Sequence, residues 1–244
     1  MDQLANPEPF KIERIVPDTW AAFQRLFPAF FVLAAVLYLV TLLPQPMRNP
    51  PAEISLGFGL GMMAASMAFS LVFLVFGGAV AFAVWTDQGT AKPDLGATMR
   101  MSFSRLLPMI GAAILVYLAV AGGTIAFVIP GFIFYMMFFV TIPVVVIEGV
   151  GPIEAMGRSR DLTRGHRLGI FMLMFLVGLC FAVPAIVLSF MFMDFGVSTE
   201  PSLTWNVVYG LFSAIVLLAQ CAGLGVIYRN LRRSEAFAAS QQAG

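Results

Sequence analysis

Charge is what this sequence has least of. Only 11% of its 244 residues are Asp, Glu, Lys or Arg, against roughly 25% in an ordinary soluble domain. That scarcity excludes a soluble nucleic-acid binder and a disordered chain, both of which live on charge. Histidine is nearly missing too, with His166 alone. One histidine and two cysteines, Cys180 and Cys221, cannot complete a four-ligand zinc set, and no HExxH occurs. His166 also lacks an adjacent Ser or Cys nucleophile with an orienting acid. Two cysteines are too few for a secreted disulfide scaffold. They lie at depths that differ by about 6 Å on consecutive crossings, which speaks against a bond between them.

What is present is apolar. Mean hydropathy is +0.91, with 24 Phe and 15 Met. Five stretches carry no charge at all: 26–47, 54–86, 106–147, 168–193 and 201–228. About 20 residues of helix cross a hydrocarbon core of roughly 30 Å, so the chain reads as an all-α polytopic membrane protein. Runs one, four and five each give one crossing, near 26–44, 169–191 and 206–228. The second is long for one helix and is expected to cross near 63–85, after a loose glycine-rich approach at Gly57–Gly61. The 42-residue third run would be ~63 Å as one rod. Pro130-Gly131 near its middle is a turn signal, so it is expected to fold as two arms, 106–128 and 132–148. Pro143 predicts a kink in the second arm. The total is six transmembrane helices.

Placement of the charges supports that number. With six crossings, 1–25, 86–105, 148–168 and 229–244 share one side and hold every basic residue except Arg48. By the positive-inside rule that side is the cytoplasm, with both termini in it. A single crossing of 106–147 would put Arg158, Arg160, Arg164 and Arg167 outside. Residues 1–25 also carry Asp2, Glu8, Glu13 and Asp18, unlike a cleaved signal, so the first run is expected to remain as an anchor. The expected organisation is a cytoplasmic interfacial helix over 1–25, a membrane domain over 26–228 and a cytoplasmic tail over 229–244.

A motif recurs. Phe23-Gln24-Arg25-Leu26-Phe27-Pro28 and Phe103-Ser104-Arg105-Leu106-Leu107-Pro108 share Phe-x-Arg-Leu-apolar-Pro, and Arg167-Leu168-Gly169 marks a weaker third instance. Amphipathic stretches precede each, at 11–25, 94–105 and 152–164. In the first, Ile12, Ile15, Val16, Trp20 and Phe23 fall at helical spacing, the pattern of a helix at the membrane interface. Two readings stand: three hairpins, each led by a cytoplasmic interfacial amphipathic helix, or independent crossings that each start with a basic anchor and a first-turn proline.

Asp, Glu, Lys, Arg and His are missing from the interiors of all five runs. That argues against an ion-coupled transporter or voltage sensor. The polar residues there (Thr41, Ser66, Ser70, Thr124, Thr141, Ser189, Asn206, Ser213 and Gln220) are expected to bond mostly to helix backbone. Gly77-Gly78 and Gly122-Gly123 are expected to allow close helix packing.

One constellation carries charge. In 148–171, Pro152 suits the first turn of a helix and Gly165 its C-terminal cap. Glu154 precedes Arg158 by four residues and Asp161 follows it by three, both helix-supporting spacings. Arg160, Arg164 and Arg167 crowd the C-terminal end, where they match the helix dipole. They are either an anionic lipid-headgroup site, with Glu148 holding one arginine, or a topogenic charge cluster.

The series Pro130-Gly131, Pro143, Glu148, Glu154-Ala155, Arg158-Ser159, Leu162-Thr163 and Gly165 resembles the membrane domain fused to some bacterial glycerophosphoryl diester phosphodiesterases. It is also similar to related stand-alone inner-membrane proteins of unknown function. Asp18-Thr19-Trp20 and Tyr228–Arg232 fit the same pattern. The resemblance implies six crossings in a bacterial inner membrane. In the fused enzymes catalysis belongs to a separate soluble barrel with metal-binding acids and histidines, so phosphodiesterase activity is not expected here. Arg160 and Arg167 depart from the pattern.

The expectation is a non-enzymatic, lipid-contacting scaffold or regulatory membrane domain. It needs no cofactor, metal or nucleic acid; its partners would be anionic lipids of the cytoplasmic leaflet, with protein partners or self-association left open. Two rivals remain. One is a facilitator or exporter of an amphipathic solute or lipid. The other is an intramembrane lipid enzyme in which Glu148, Asp161 and His166 converge.

Overall fold

A computed structural model describes residues 9–41, 56–87, 94–191 and 203–242. Among them there is no strand, and 92% are helical. The elements are α1 (Ile12–Thr41), α2 (Leu56–Thr86), α3 (Leu95–Ser104), α4 (Leu106–Ala126), α5 (Val128–Met137), α6 (Thr141–Glu148), α7 (Pro152–Thr163), α8 (Arg167–Met191) and α9 (Leu203–Gln242). Six stretches are long and apolar enough to cross a membrane: one each in α1, α2, α4, α8 and α9, and one over Ile129–Glu148. The chain is an all-α, multi-pass membrane protein.

Three boundaries differ from expectation, each for a local reason. Residues 12–25 do not form a separate helix; they continue into the first crossing as α1, with Pro17 and Pro28 inside it. Gly57–Gly61 are likewise helical, so α2 is one rod of 31 residues, about 46 Å long. Tilt or protrusion at one end accommodates that excess. The hairpin of the third run turns at Phe127, whose backbone is extended, rather than at Pro130-Gly131. Pro130 instead occupies the first turn of α5, where a missing N–H costs no helical hydrogen bond. Pro143 takes the equivalent third place in α6, and the break falls before it at Phe138–Val140.

α1 and α9 pack most extensively. Each contributes a row of residues four apart: Ala22, Leu26, Phe30 and Ala34 from α1, and Ala214, Leu218, Ala222 and Val226 from α9, all buried. Phe30 meets Phe76 of α2 edge-on at 6.0 Å. α4 folds back on α5, and α7 lies across α4 and α6. α8 touches the rest chiefly through α1 and α5, and it leaves Phe175, Leu176, Leu179 and Val183 at least half exposed. An aqueous protein could not sustain such a face; a bilayer can.

Intramembrane hydroxyls behave as expected. Ser66 donates to the Met63 carbonyl, Ser70 to Ser66, Thr124 to Val120 and Thr141 to Phe138. The side chains of Thr41, Ser189 and Asn206, and all of Arg48, Glu53, Lys92, Asp194 and Glu200, lie outside the described residues. Both cysteines are free thiols. Of the glycine pairs, Gly78 and Gly123 face neighbouring elements at close range, whereas Gly122 faces open space.

Candidate functional site

The charged segments meet at one end of the bundle, and a neutral ionic cluster ties them together. Glu148 closes α6, and Gly149 follows in the left-handed conformation at φ 72°, which turns the chain sharply into α7. Arg158, midway along α7, donates through Nε to Glu148 at 3.2 Å. Its two terminal nitrogens bind both carboxylate oxygens of Glu235 at 2.5 and 2.6 Å. From α9, the Tyr228 hydroxyl donates to Glu148 at 2.8 Å. Arg232 donates to Glu235 at 2.7 Å and lies 3.6 Å from Glu148. The Arg158 guanidinium is held above its ordinary value, first by its hydrogen bond to Glu235, with Glu148 adding to this and burial opposing it. Two carboxylates face two guanidiniums, and Tyr228, fully buried against Trp85, anchors the cluster to the core.

Further links draw the other segments to the same end. Arg25 pairs with Asp87 at 3.0 Å. Arg105 donates to the Gly149 carbonyl at 3.1 Å, with its guanidinium in the space a side chain on Gly149 would need. Arg229 donates to the Val84 carbonyl. Segments 9–25, 94–105, 149–167 and 228–242 therefore share one side, as an even number of crossings between them requires.

The other motif residues support helix ends. Ser159 donates to the Met137 carbonyl at 2.9 Å and Thr163 to the same oxygen at 3.3 Å. Met137 ends α5, so its carbonyl has no helical partner, and in a bilayer an unsatisfied carbonyl is costly. Ser102 of α3 donates to the Val75 carbonyl within α2, tying the two helices together. Pro152 opens α7, and Gly165 follows its end at φ 86°, as expected.

The three arginines near the end of α7 differ in exposure. Arg160 and Arg164 are exposed. Arg167 is half-buried, its Nε unpaired among the described residues. Glu154 and Asp161 are both exposed, and Arg158 turns instead to Glu148 and Glu235. Sequence reasoning missed Glu235 and gave Arg232 no role. The signal available was the spacing of Tyr228, Arg232 and Glu235, which places them on one face of α9.

His166 packs against Phe10 with the rings tilted and their centroids 4.4 Å apart, and burial lowers its pKa. Stability from the neutral ring is present above the ordinary histidine value and is lost as pH falls towards the lower folded one. Labelled-histidine NMR follows one resonance, since there is one histidine. Its midpoint is expected below that of free histidine and should rise in Phe10→Ser; an unshifted midpoint would contradict the burial.

No family model, curated protein or solved structure matches the chain.

Proposed function

We propose that this chain is a non-enzymatic scaffold of the bacterial inner membrane, with both termini cytoplasmic and its charged end against the cytoplasmic leaflet. The gathering of the basic segments at one end by internal ion pairs carries this reading. Both central carboxylates, Glu148 and Glu235, are engaged by arginines. His166 is packed on Phe10 instead, and Asp161 is exposed, so the acids and histidine of the enzyme alternative occupy separate surroundings. The resemblance to the phosphodiesterase membrane domain belongs to the same proposal, since catalysis there resides in another domain.

Thiol labelling tests the orientation. In a Cys180→Ala, Cys221→Ala background, Ser240→Cys is expected to react with an impermeant maleimide only after the inner membrane is opened. Reaction in intact spheroplasts would reverse the topology. The facilitator reading draws support from an apolar groove between α1, α8 and α9. A scaffold leaves lipid exchange between the leaflets of proteoliposomes at the empty-vesicle rate, whereas a facilitator accelerates it.

A further inference from the structure

Ser66, Ser70, Thr124 and Thr141 bond to helix backbone inside the membrane, but the amide of Gln220 on α9 does not. Gln220 is exposed and has no hydrogen-bond partner among the described residues. It lies nine residues before Arg229, the next charge on α9, or about 14 Å of helix. That puts the amide well inside a hydrocarbon core of roughly 30 Å, where an unsatisfied polar group is costly.

Gln220 opens on a groove of about 370 Å³ between α1, α8 and α9, inside the roughly 300–1,000 Å³ of small-molecule sites. α8 packs chiefly on α1 and α5, and it faces α9 across this groove. Phe23 and Phe27 of α1, Val177 and Phe181 of α8, and Ala219 and Gly223 of α9 form the walls. Thr19 of α1 adds a second polar group about one helical turn from Gln220. A Cβ on Gly223 would stand 3.6 Å from its methyl, and its hydroxyl also has no partner among the described residues. No ionisable side chain among the described residues lines the groove.

Size and chemistry together select the occupant. The groove runs from Ile227 to Ile215 on α9, about 18 Å along the helix and close to the depth of one leaflet. A partner's helix of that length, about 10 Å across, occupies roughly 1,400 Å³. That is far more than the groove holds, whereas a hydrocarbon chain is slender enough. With no charge in the walls, a charged head finds no counter-charge there. Gln220 and Thr19 instead offer uncharged donors and acceptors. A lipid hydroxyl, which both donates and accepts, beside an ester carbonyl satisfies the pair.

We propose that a neutral, hydroxyl-bearing glyceride of the diacylglycerol class occupies the α1–α8–α9 groove. Its glycerol oxygens meet Thr19 and Gln220, and one acyl chain runs on between Phe27 and Phe181. Such a site goes beyond the scaffold reading and requires only the multi-pass membrane fold.

The test places the full chain in phosphatidylcholine vesicles with trace diacylglycerol or phosphatidylglycerol carrying a photoactivatable diazirine on one acyl chain. Labelled peptides are then mapped by mass spectrometry. In wild type the diacylglycerol probe is expected to label the groove walls of α8 and α9, and unlabelled dioleoylglycerol should compete the label away. Gln220→Leu is expected to weaken that labelling roughly five-fold, the worth of one neutral hydrogen bond, while melting no lower than wild type. Ala219→Phe, which fills the slot, should abolish it at unchanged melting temperature, and Ser66→Ala on α2 should label as wild type. Labelling that is equal for the two probes and does not saturate reports bulk bilayer lipid alone and overturns the site. Stronger labelling by phosphatidylglycerol, no groove labelling by either probe, or wild-type labelling of Gln220→Leu overturns it as well. Each of these leaves the scaffold reading standing, since thiol topology and lipid exchange test that separately.

Discussion

Replacing Glu148 with alanine is expected to destabilise the folded protein by about 3 kcal/mol, the low end of the cost of breaking a buried ion pair. The low end applies because the Glu148 side chain keeps 18% of its surface accessible. Its carboxylate accepts from Arg158 and Tyr228 and faces Arg232. Without it the Tyr228 hydroxyl has lost its acceptor in the core, and two guanidiniums share the single charge of Glu235. In detergent, the melting temperature should fall by roughly 6–12 °C, taking about 2–4 °C per kcal/mol for a chain of this size. Glu154→Ala, four residues before Arg158 and exposed, should stay within about 0.5 kcal/mol of wild type. Adding Arg158→Leu to Glu148→Ala should cost less than the two single changes together, since contacting residues couple. Equal melting of Glu148→Ala and Glu154→Ala would show that the cluster holds nothing together.

The same cluster marks where sequence stopped being informative. The six crossings were legible because the hydrocarbon core excludes charge so strongly that uncharged runs and basic loops leave few alternatives. Arg158 was visible, but its nearest acids in sequence, Glu154 and Asp161, suggested local support. Its actual partners come from the end of α6 and from α9, 77 residues away in the case of Glu235. Pro130 was read with the wrong rule, whereas the kink expected at Pro143 is present as the break at Phe138–Val140. Pro-Gly is a turn signal in water-exposed chain, yet Pro130 and Pro143 each sit third in a new helix, three residues after the break. At these two positions the break lies on the N-terminal side of the proline, whereas Pro28 and Pro184 sit inside unbroken helices.

The largest packing effect is expected at Gly131. A Cβ added there would lie 2.7 Å from the Thr124 backbone nitrogen and 2.8 Å from its Cα. Gly123 stands in the same crossing, where an added Cβ would come within 2.9 Å of the Gly131 Cα. These obstacles are backbone, which cannot rotate aside as a side chain can, so α4 and α5 would have to separate. Gly131→Ala should therefore cost about 1–3 kcal/mol, the range for overpacking, and Gly131→Val more. Intrinsic helix propensity pulls the other way, favouring alanine over glycine by about 1 kcal/mol. Gly122, one residue before Gly123, supplies the contrast: nothing lies within 4 Å of its Cβ position, so Gly122→Ala should be neutral or stabilising. Heating each variant in detergent and measuring the monodisperse fraction reads both signs at once. If the two alanine variants shift in the same direction, backbone contact does not close the α4–α5 hairpin, and the turn at Phe127 would have to be held by the ends of its arms alone.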